Sequence, residues 1–276
     1  MKSKKILLKQ SISYSYVFIT GINTITGVLG YTIKDIFEDF SWWLCGLILI
    51  SLFIVTAIII YFILIILNRK GISTTINGVN VSVKNGNLFN IDGLKIIPFN
   101  ERFDTKVDDV VISHDSLNGQ MIDKYVDNLN DLKKTIRDAK KDNSKLTPEK
   151  VGEHYVYPLG RIIKYNDYLM LSMSHFDDQN RAYINIHEYE TMLSNMWDEI
   201  RRVYAGKKIV MPLIGSGITT INGVKEKNNT ILLKCILCTL RRSRFQPKNG
   251  IEIILTQDTI NKIDLVRIKE EFKNGI

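Results

Sequence analysis

Met211-Pro212-Leu213-Ile214-Gly215-Ser216-Gly217-Ile218 is the stretch on which the reading of this chain turns. An apolar run, Lys208 to Ile214, has the length of a buried strand and ends in a Gly-Ser-Gly turn. Glycines there permit positive φ and let backbone N–H groups converge on an anion; a plain tight turn is the competing explanation. Upstream, Tyr189, Met192, Leu193, Met196, Ile200 and Val203 recur at helical spacing, with Gly206 just past the end. Downstream, Thr230–Leu240 reads as a buried helix, Ile251–Leu255 as a strand and Thr259–Phe272 as a closing helix.

Further upstream, Val79, Val81 and Val83 alternate as a strand ahead of the turn pair Asn85-Gly86, and Leu94–Phe99 is a second short apolar run. Ser116–Asn130 reads as a helix, and the charged run Asp131–Lys145 as a solvated helix or loop. Arg161–Tyr165 and Tyr168–Ser174 form two strands around Asn166-Asp167. Strands alternating with helices argue an α/β class, a three-layer α/β/α domain. Internal repeats are not visible.

The first seventy residues obey different physics. The chain has 276 residues, 45% of them hydrophobic, and a formal net charge of +8. From Trp42 to Leu67 no residue is charged, and about 20 apolar residues cross a hydrocarbon core. Ser11–Ile33 is also uncharged but weaker, so a second span and a signal segment compete; the absence of a small-x-small cleavage site favours the span. Lys2, Lys4, Lys5 and Lys9 lead the chain, Arg69 and Lys70 follow the second run, and Asp35, Glu38 and Asp39 outweigh Lys34 between them. Positive-inside bias then places both termini of a multi-pass membrane protein in the cytoplasm, with Trp42 and Trp43 at the outer interface. Gly21, Thr24, Gly27 and Gly30 make a small-residue stripe, suited to close helix packing within the hairpin or between subunits. The expected division is a transmembrane hairpin over 1–70, a linker over 71–78 and an α/β domain over 79–276.

Few side chains announce chemistry. Cys235 and Cys238 form a C-x-x-C with no second ligand pair nearby, and they read as small buried hydrophobes. Glu101, Asp104, Asp108 and Asp109 include carboxylates that could hold Mg²⁺ or simply cap turns. His114, His154, His175 and His187 lack a nucleophile at motif spacing. Basic residues are dispersed without interleaved stacking aromatics, which argues against nucleic acid as a partner.

In their order, Val79–Val83, Gly86-Asn87-Leu88-Phe89, Ile96-Ile97-Pro98-Phe99-Asn100, Tyr157-Pro158-Leu159-Gly160 and Pro212–Ile218 resemble the macro domain. That resemblance implies binding of ADP-ribose or a derivative, with Gly215, Ser216, Gly217 and Ile218 cradling the diphosphate and Asn87 where the family usually has an adenine-contacting acid. The implied ligand set is Asn87, Leu88 and Phe89; Asn100, Phe103 and Asp104; Ser116, Gly119 and Gln120; and Leu213, Ile214, Gly215, Ser216, Gly217, Ile218 and Thr219. No catalytic residue, metal or cofactor is implied. The hydrolase signature Asn-Ala-Ala-Asn and its Gly-rich catalytic loop are replaced by Pro98-Phe99-Asn100-Glu101-Arg102-Phe103-Asp104, so binding is expected rather than hydrolysis. The alternative is a membrane-anchored ADP-ribosyl or nucleotide hydrolase using Asp104 or Asp109. Two apolar helices before such a domain resemble the membrane effectors of bacterial Thoeris anti-phage systems. This resemblance implies a nucleotide signal, such as a histidine conjugate, from a partner TIR-domain enzyme. It further implies membrane lipids and other copies of the chain as partners, with signal-driven oligomerisation, membrane disruption and abortive infection.

Overall fold

In the computed structural model, residues 2–30, 35, 41–69, 71–223 and 228–273 are described. Strand Leu94–Asn100 (β3) shows why the central layer forms. Leu94 and Ile96 face one apolar cluster while Ile97 and Phe99 face another. Strand Ile209–Pro212 (β9) repeats the pattern, with Ile209 and Met211 on one side and Val210 on the other. Side chains alternate across a strand, so burial on both faces demands the continuous apolar runs seen in the sequence.

The strands are Ile72–Ile76 (β1), Val79–Asn85 (β2), β3, Glu149–Val151 (β4), His154–Val156 (β5), Ile162–Tyr165 (β6), Tyr168–Phe176 (β7), Ala182–Asn185 (β8), β9, Thr220–Asn222 (β10) and Ile251–Leu255 (β11). Among the described residues the main sheet runs β1-β2-β11-β9-β3-β7-β8-β10, with β6 also paired to β7, and β4–β5 is a separate hairpin. Neighbours from β2 through β11, β9 and β3 to β7 are parallel. Their carboxyl ends therefore open on one edge, where doubly wound sheets bind ligands.

Helices Ile186–Val203 (α5), Asn229–Arg242 (α6) and Leu265–Lys273 (α8) cover one face, with Tyr189, Met192, Met196, Trp197 and Ile200 fully buried. Helices Leu117–Tyr125 (α3) and Leu129–Asp138 (α4) cover the other through Met121, Ile122 and Leu132. Each such side chain contributes about 1.5–3 kcal/mol of burial. The expected α/β/α layering is thus present.

Several local expectations are corrected. The span 71–78, expected as a linker, is mostly β1, paired antiparallel to β2 through an Asn77-Gly78 turn. Both turn residues have positive φ (49° and 79°), the geometry that suits a two-residue hairpin. The single helix expected over Ser116–Asn130 breaks after Tyr125, because the Asn128 side chain accepts from Asn130 N and starts α4. The charged run beyond it is not only a solvated face, since α4 buries Leu132 completely. The closing helix is also two: a short turn, Gln257–Ile260 (α7), and then α8, which Asp264 caps by accepting from Arg267 N.

Two helices precede the domain, Lys2–Val28 (α1) and Trp42–Arg69 (α2), and they pack along each other. Over Trp42–Asn68 α2 has a mean hydropathy of 3.1, and among the described residues it alone is long and apolar enough to cross a membrane. The weaker α1 does not meet that measure. Gly21, Gly27 and Gly30 have nothing within 4 Å of an added Cβ, so the small-residue stripe is not the surface that joins α1 to α2. The acidic residues Glu38 and Asp39, with Lys34 and Lys70, lie outside the described residues.

Candidate functional site

At the carboxyl edge of the parallel strands lies a cavity of about 650 Å³, within the range of small-molecule sites. Its floor is the strand ends Pro98–Asn100, Met173–Ser174 and Ile254–Leu255. One wall is Gly86–Phe89, a second is Val111–Ser113 with Asp115–Asn118, and a third is the loop containing Gly215–Thr219.

That third wall is set from below. Tyr189, fully buried on α5, donates its hydroxyl to Ile214 O at 2.8 Å, and Ser216 N donates to Leu213 O at 3.1 Å. Gly215 bends the chain at φ +81°, and a Cβ there would sit 3.3 Å from both Tyr189 and Ile221. Left-handed backbone is costly for residues with a side chain, so glycine is needed on two counts. Beyond it Gly217 and Ile218 are exposed at the mouth, Ile218 at 88%. The first wall is ordered by Asn87, whose side chain accepts from Phe89 N.

Of the residues expected at the site, the cavity brings together Asn87, Leu88, Phe89, Asn100, Ser116, Gln120, Leu213, Gly215, Ser216, Gly217, Ile218 and Thr219. Four others lie outside its lining, each for a local reason. Phe103 is buried against Phe99 and Tyr157. Asp104 accepts from Asn100 Nδ2 at 2.7 Å in the turn after β3. Gly119 sits where a Cβ would come 2.2 Å from Ser113 O; it is a packing glycine at the start of α3. Ile214 is a core side chain with no exposure. The sequence reading missed Val111, Ile112, Ser113, Met173, Phe176, Ala182, Ile254, Thr256 and Thr259, which also line the cavity.

The carboxylates weighed for metal have other partners. Asp108 accepts from Val110 N and Val111 N and pairs with Lys106 at 2.7 Å; chiefly through that lysine, its carboxyl is held at about 2. Asp109 accepts from His114 N. Cys235 lies 3.9 Å from Glu190, and burial pushes its thiol up to about 11, the opposite of a reactive thiolate.

Glu101 and His175 clamp the site from outside. Directly after Asn100, buried Glu101 places Oε2 2.5 Å from His175 Nδ1, with Glu188 at 3.6 Å from the other ring nitrogen. His175 is flanked by Ser174 and Phe176 of the cavity. The bond to Glu101 raises the imidazole above its ordinary value, against the opposing effect of burial. Stability from this pair is therefore full below about pH 6.5, where the unfolded ring is also protonated, and is lost as pH rises through the higher folded value. We expect His175→Gln to lower the melting temperature by the equivalent of about 1 kcal/mol in mildly acid buffer, and by progressively less in alkaline buffer. A deficit that does not change with pH would refute the pairing.

A family model and a curated relative agree on the family. The family model "Thoeris protein ThsA, Macro domain" matches residues 81–256. A curated relative, the Thoeris protein ThsA of Bacillus amyloliquefaciens (strain Y2), is 35% identical over 245 residues, covering 83% of this chain and 80% of that protein. Among solved structures, the Oceanobacillus iheyensis macrodomain with ADP aligns at TM-score 0.45 and 12% identity, over 73% of this chain and 95% of that one. The same macrodomain with MES bound aligns at TM-score 0.44 and 12% identity, over 73% of this chain and 97% of that one. The chain belongs to the ThsA macro-domain family of Thoeris proteins.

Proposed function

We propose that the cavity binds an ADP-ribose-derived signal, such as a histidine conjugate, made by a partner TIR-domain enzyme, and that binding drives oligomerisation and membrane disruption in anti-phage defence. The observation that carries this reading is the cavity itself. It stands at the carboxyl edge of a parallel sheet, beside a Gly-Ser-Gly loop whose backbone can approach an anion closely. Its size suits a nucleotide, and family membership supplies the defence context. The diphosphate is assigned to Leu213, Gly215, Ser216, Gly217, Ile218 and Thr219, and the nucleoside to the side of Asn87, Leu88 and Phe89. Asn100, Ser116 and Gln120 complete the polar lining.

We assign binding rather than hydrolysis. The acids considered for water activation, Asp104 and Asp109, are absent from the lining, and Asn100 spends its side chain on Arg102 N, Asp104 N and Asp104 Oδ2. On this reading α1 and α2 form a two-span hairpin in the bacterial inner membrane with both termini cytoplasmic, and a second copy of the chain is the assembly partner.

Titration calorimetry of the detergent-solubilised full chain with ADP-ribose tests it. Saturable heat with one ligand per chain, unchanged ADP-ribose after long incubation, and a shift to larger assemblies by light scattering are expected. An absence of heat, or turnover of the ligand, would sink the proposal.

A further inference from the structure

We propose that α7 is the mechanical link between the cavity and the membrane hairpin, a conclusion that rests on the binding role proposed above. Two surfaces of one short turn carry it. On the cavity side, Thr256 and Thr259 line the pocket, and Thr256 caps α7 by accepting from Thr259 N. On the other side, the turn ends in backbone carbonyls that the hairpin uses. Asn68, the last residue of the apolar span and only 3% exposed, donates Nδ2 to Ile263 O at 3.0 Å and to Ile260 O at 3.4 Å. Its Oδ1 accepts from Leu265 N at 2.8 Å. A single side chain of α2 therefore holds the end of α7 and the start of α8.

The partner helix is held at the same place. Gln10 of α1 donates Nε2 to Asp264 Oδ2 at 2.9 Å, and Asp264 caps α8. Thus α1 and α2 both engage the segment 260–265, which begins one residue after the cavity wall ends.

This joint is built from directional polar bonds rather than from side-chain packing alone. Buried polar groups are costly to leave unpaired, so movement of 260–265 has to carry Asn68 with it or strand its amide. The Gln10 Oε1 atom is buried with no partner among the described residues. An unsatisfied acceptor at a joint leaves room for a second arrangement that pairs it. A ligand that favours one position of Thr256 and Thr259 shifts the population of such arrangements, and the turn delivers that shift to both helices.

Hydrogen exchange on the full chain in lipid nanodiscs tests the link, in two arms. In the first, without ligand, Thr259→Trp fills the cavity wall, and exchange is followed in the peptides covering 64–72 and 257–268. A change of at least about threefold in both is expected, and an unchanged 64–72 peptide overturns the link. In the second arm ADP-ribose is added. Wild-type protein should respond in both peptides, whereas Asn68→Ala should keep its affinity within about threefold and lose the 64–72 response. Binding without any 64–72 response in the wild type also overturns the link. If ADP-ribose fails to bind while Thr259→Trp still alters 64–72, the link stands and the ligand assignment falls. Should Asn68→Ala fold poorly, Gln10→Leu is the milder variant, for which a weakened response near residue 10 is expected and an intact one counts against the joint.

Discussion

Replacing Gly215 with Glu is expected to cut the affinity of the full chain for ADP-ribose by about a thousandfold while leaving most of the fold intact. Two effects combine. A carboxylate roughly 4 Å from a phosphate costs about 4 kcal/mol at an effective dielectric of about 20, which corresponds to that factor. The backbone at φ +81° adds about 1–2 kcal/mol of strain, because a Cβ there crowds its own carbonyl, and Tyr189 and Ile221 at 3.3 Å would also have to give way. Gly215→Ala separates the two, since it retains the strain and lacks the charge. Calorimetry should therefore rank wild type, Ala and Glu in falling affinity, while thermal melting shows Ala and Glu displaced by similar amounts. If the Glu variant binds as the wild type does, the loop is only a turn and the diphosphate lies elsewhere.

The same glycine shows which parts of the site were legible in advance. A Gly-Ser-Gly at the end of an apolar strand has few physical explanations, so Gly215 and its neighbours could be placed from sequence. The opposite wall could not. Val111, Ile112, Met173 and Ile254 are apolar residues in or beside core segments, and nothing local distinguishes an apolar residue facing a cavity from one facing a helix. Phe103 failed in the other direction. The resemblance put it among the ligand residues, yet with a positive φ of 53° it packs inward against Tyr157. Strand β1 was hidden by composition, because Ser73, Thr74 and Thr75 read as linker residues. The alternation of buried Ile72 and Ile76 with exposed Ser73 and Thr75 needed its partner β2 to become meaningful. Layering was easier, since two-sided burial writes itself as unbroken apolar runs. The long apolar helix was clearest for α2, whereas α1 carries Gln10, Ser11 and Ser15, and no local pattern foretells that Gln10 bonds Asp264.

Long-range polar pairs were invisible for the same reason, and the largest stability effect is expected at one of them. Arg161, 1% exposed, donates Nη1 to Glu199 Oε2 at 2.6 Å and Nη2 to Ala139 O at 3.0 Å, and it also pairs with Asp142. Ser144 donates to the other oxygen of Glu199 at 2.7 Å, and Arg202 adds a third contact. Burial opposes ionisation of Glu199, but the bonds from Arg202 and Ser144 and the charge of Arg161 outweigh it and hold the carboxyl below its ordinary value. The network thus ties α5 to β6 and to the end of α4. Glu199→Ala leaves a buried guanidinium with only the partly exposed Asp142 as counter-charge, and a loss of about 3–5 kcal/mol is expected, a fall of roughly 10 °C in the melting temperature of a domain this size. Because the folded carboxyl titrates below its unfolded value, its contribution is present above the unfolded value, about pH 4.3, and is lost as pH falls through the folded one. The wild-type advantage over Glu199→Ala should therefore shrink in strong acid. Removing both charges is predicted to be much milder: Arg161→Met with Glu199→Leu replaces the pair by apolar volume, which is often neutral for buried ion pairs. Melting curves of Arg161→Met, Glu199→Leu and their double variant form, with the wild type, a cycle that measures the coupling. A double variant no more stable than Glu199→Ala would mean that Arg161 is held for its bonds to Ala139 and Asp142, and that Glu199 serves Ser144 and Arg202 instead.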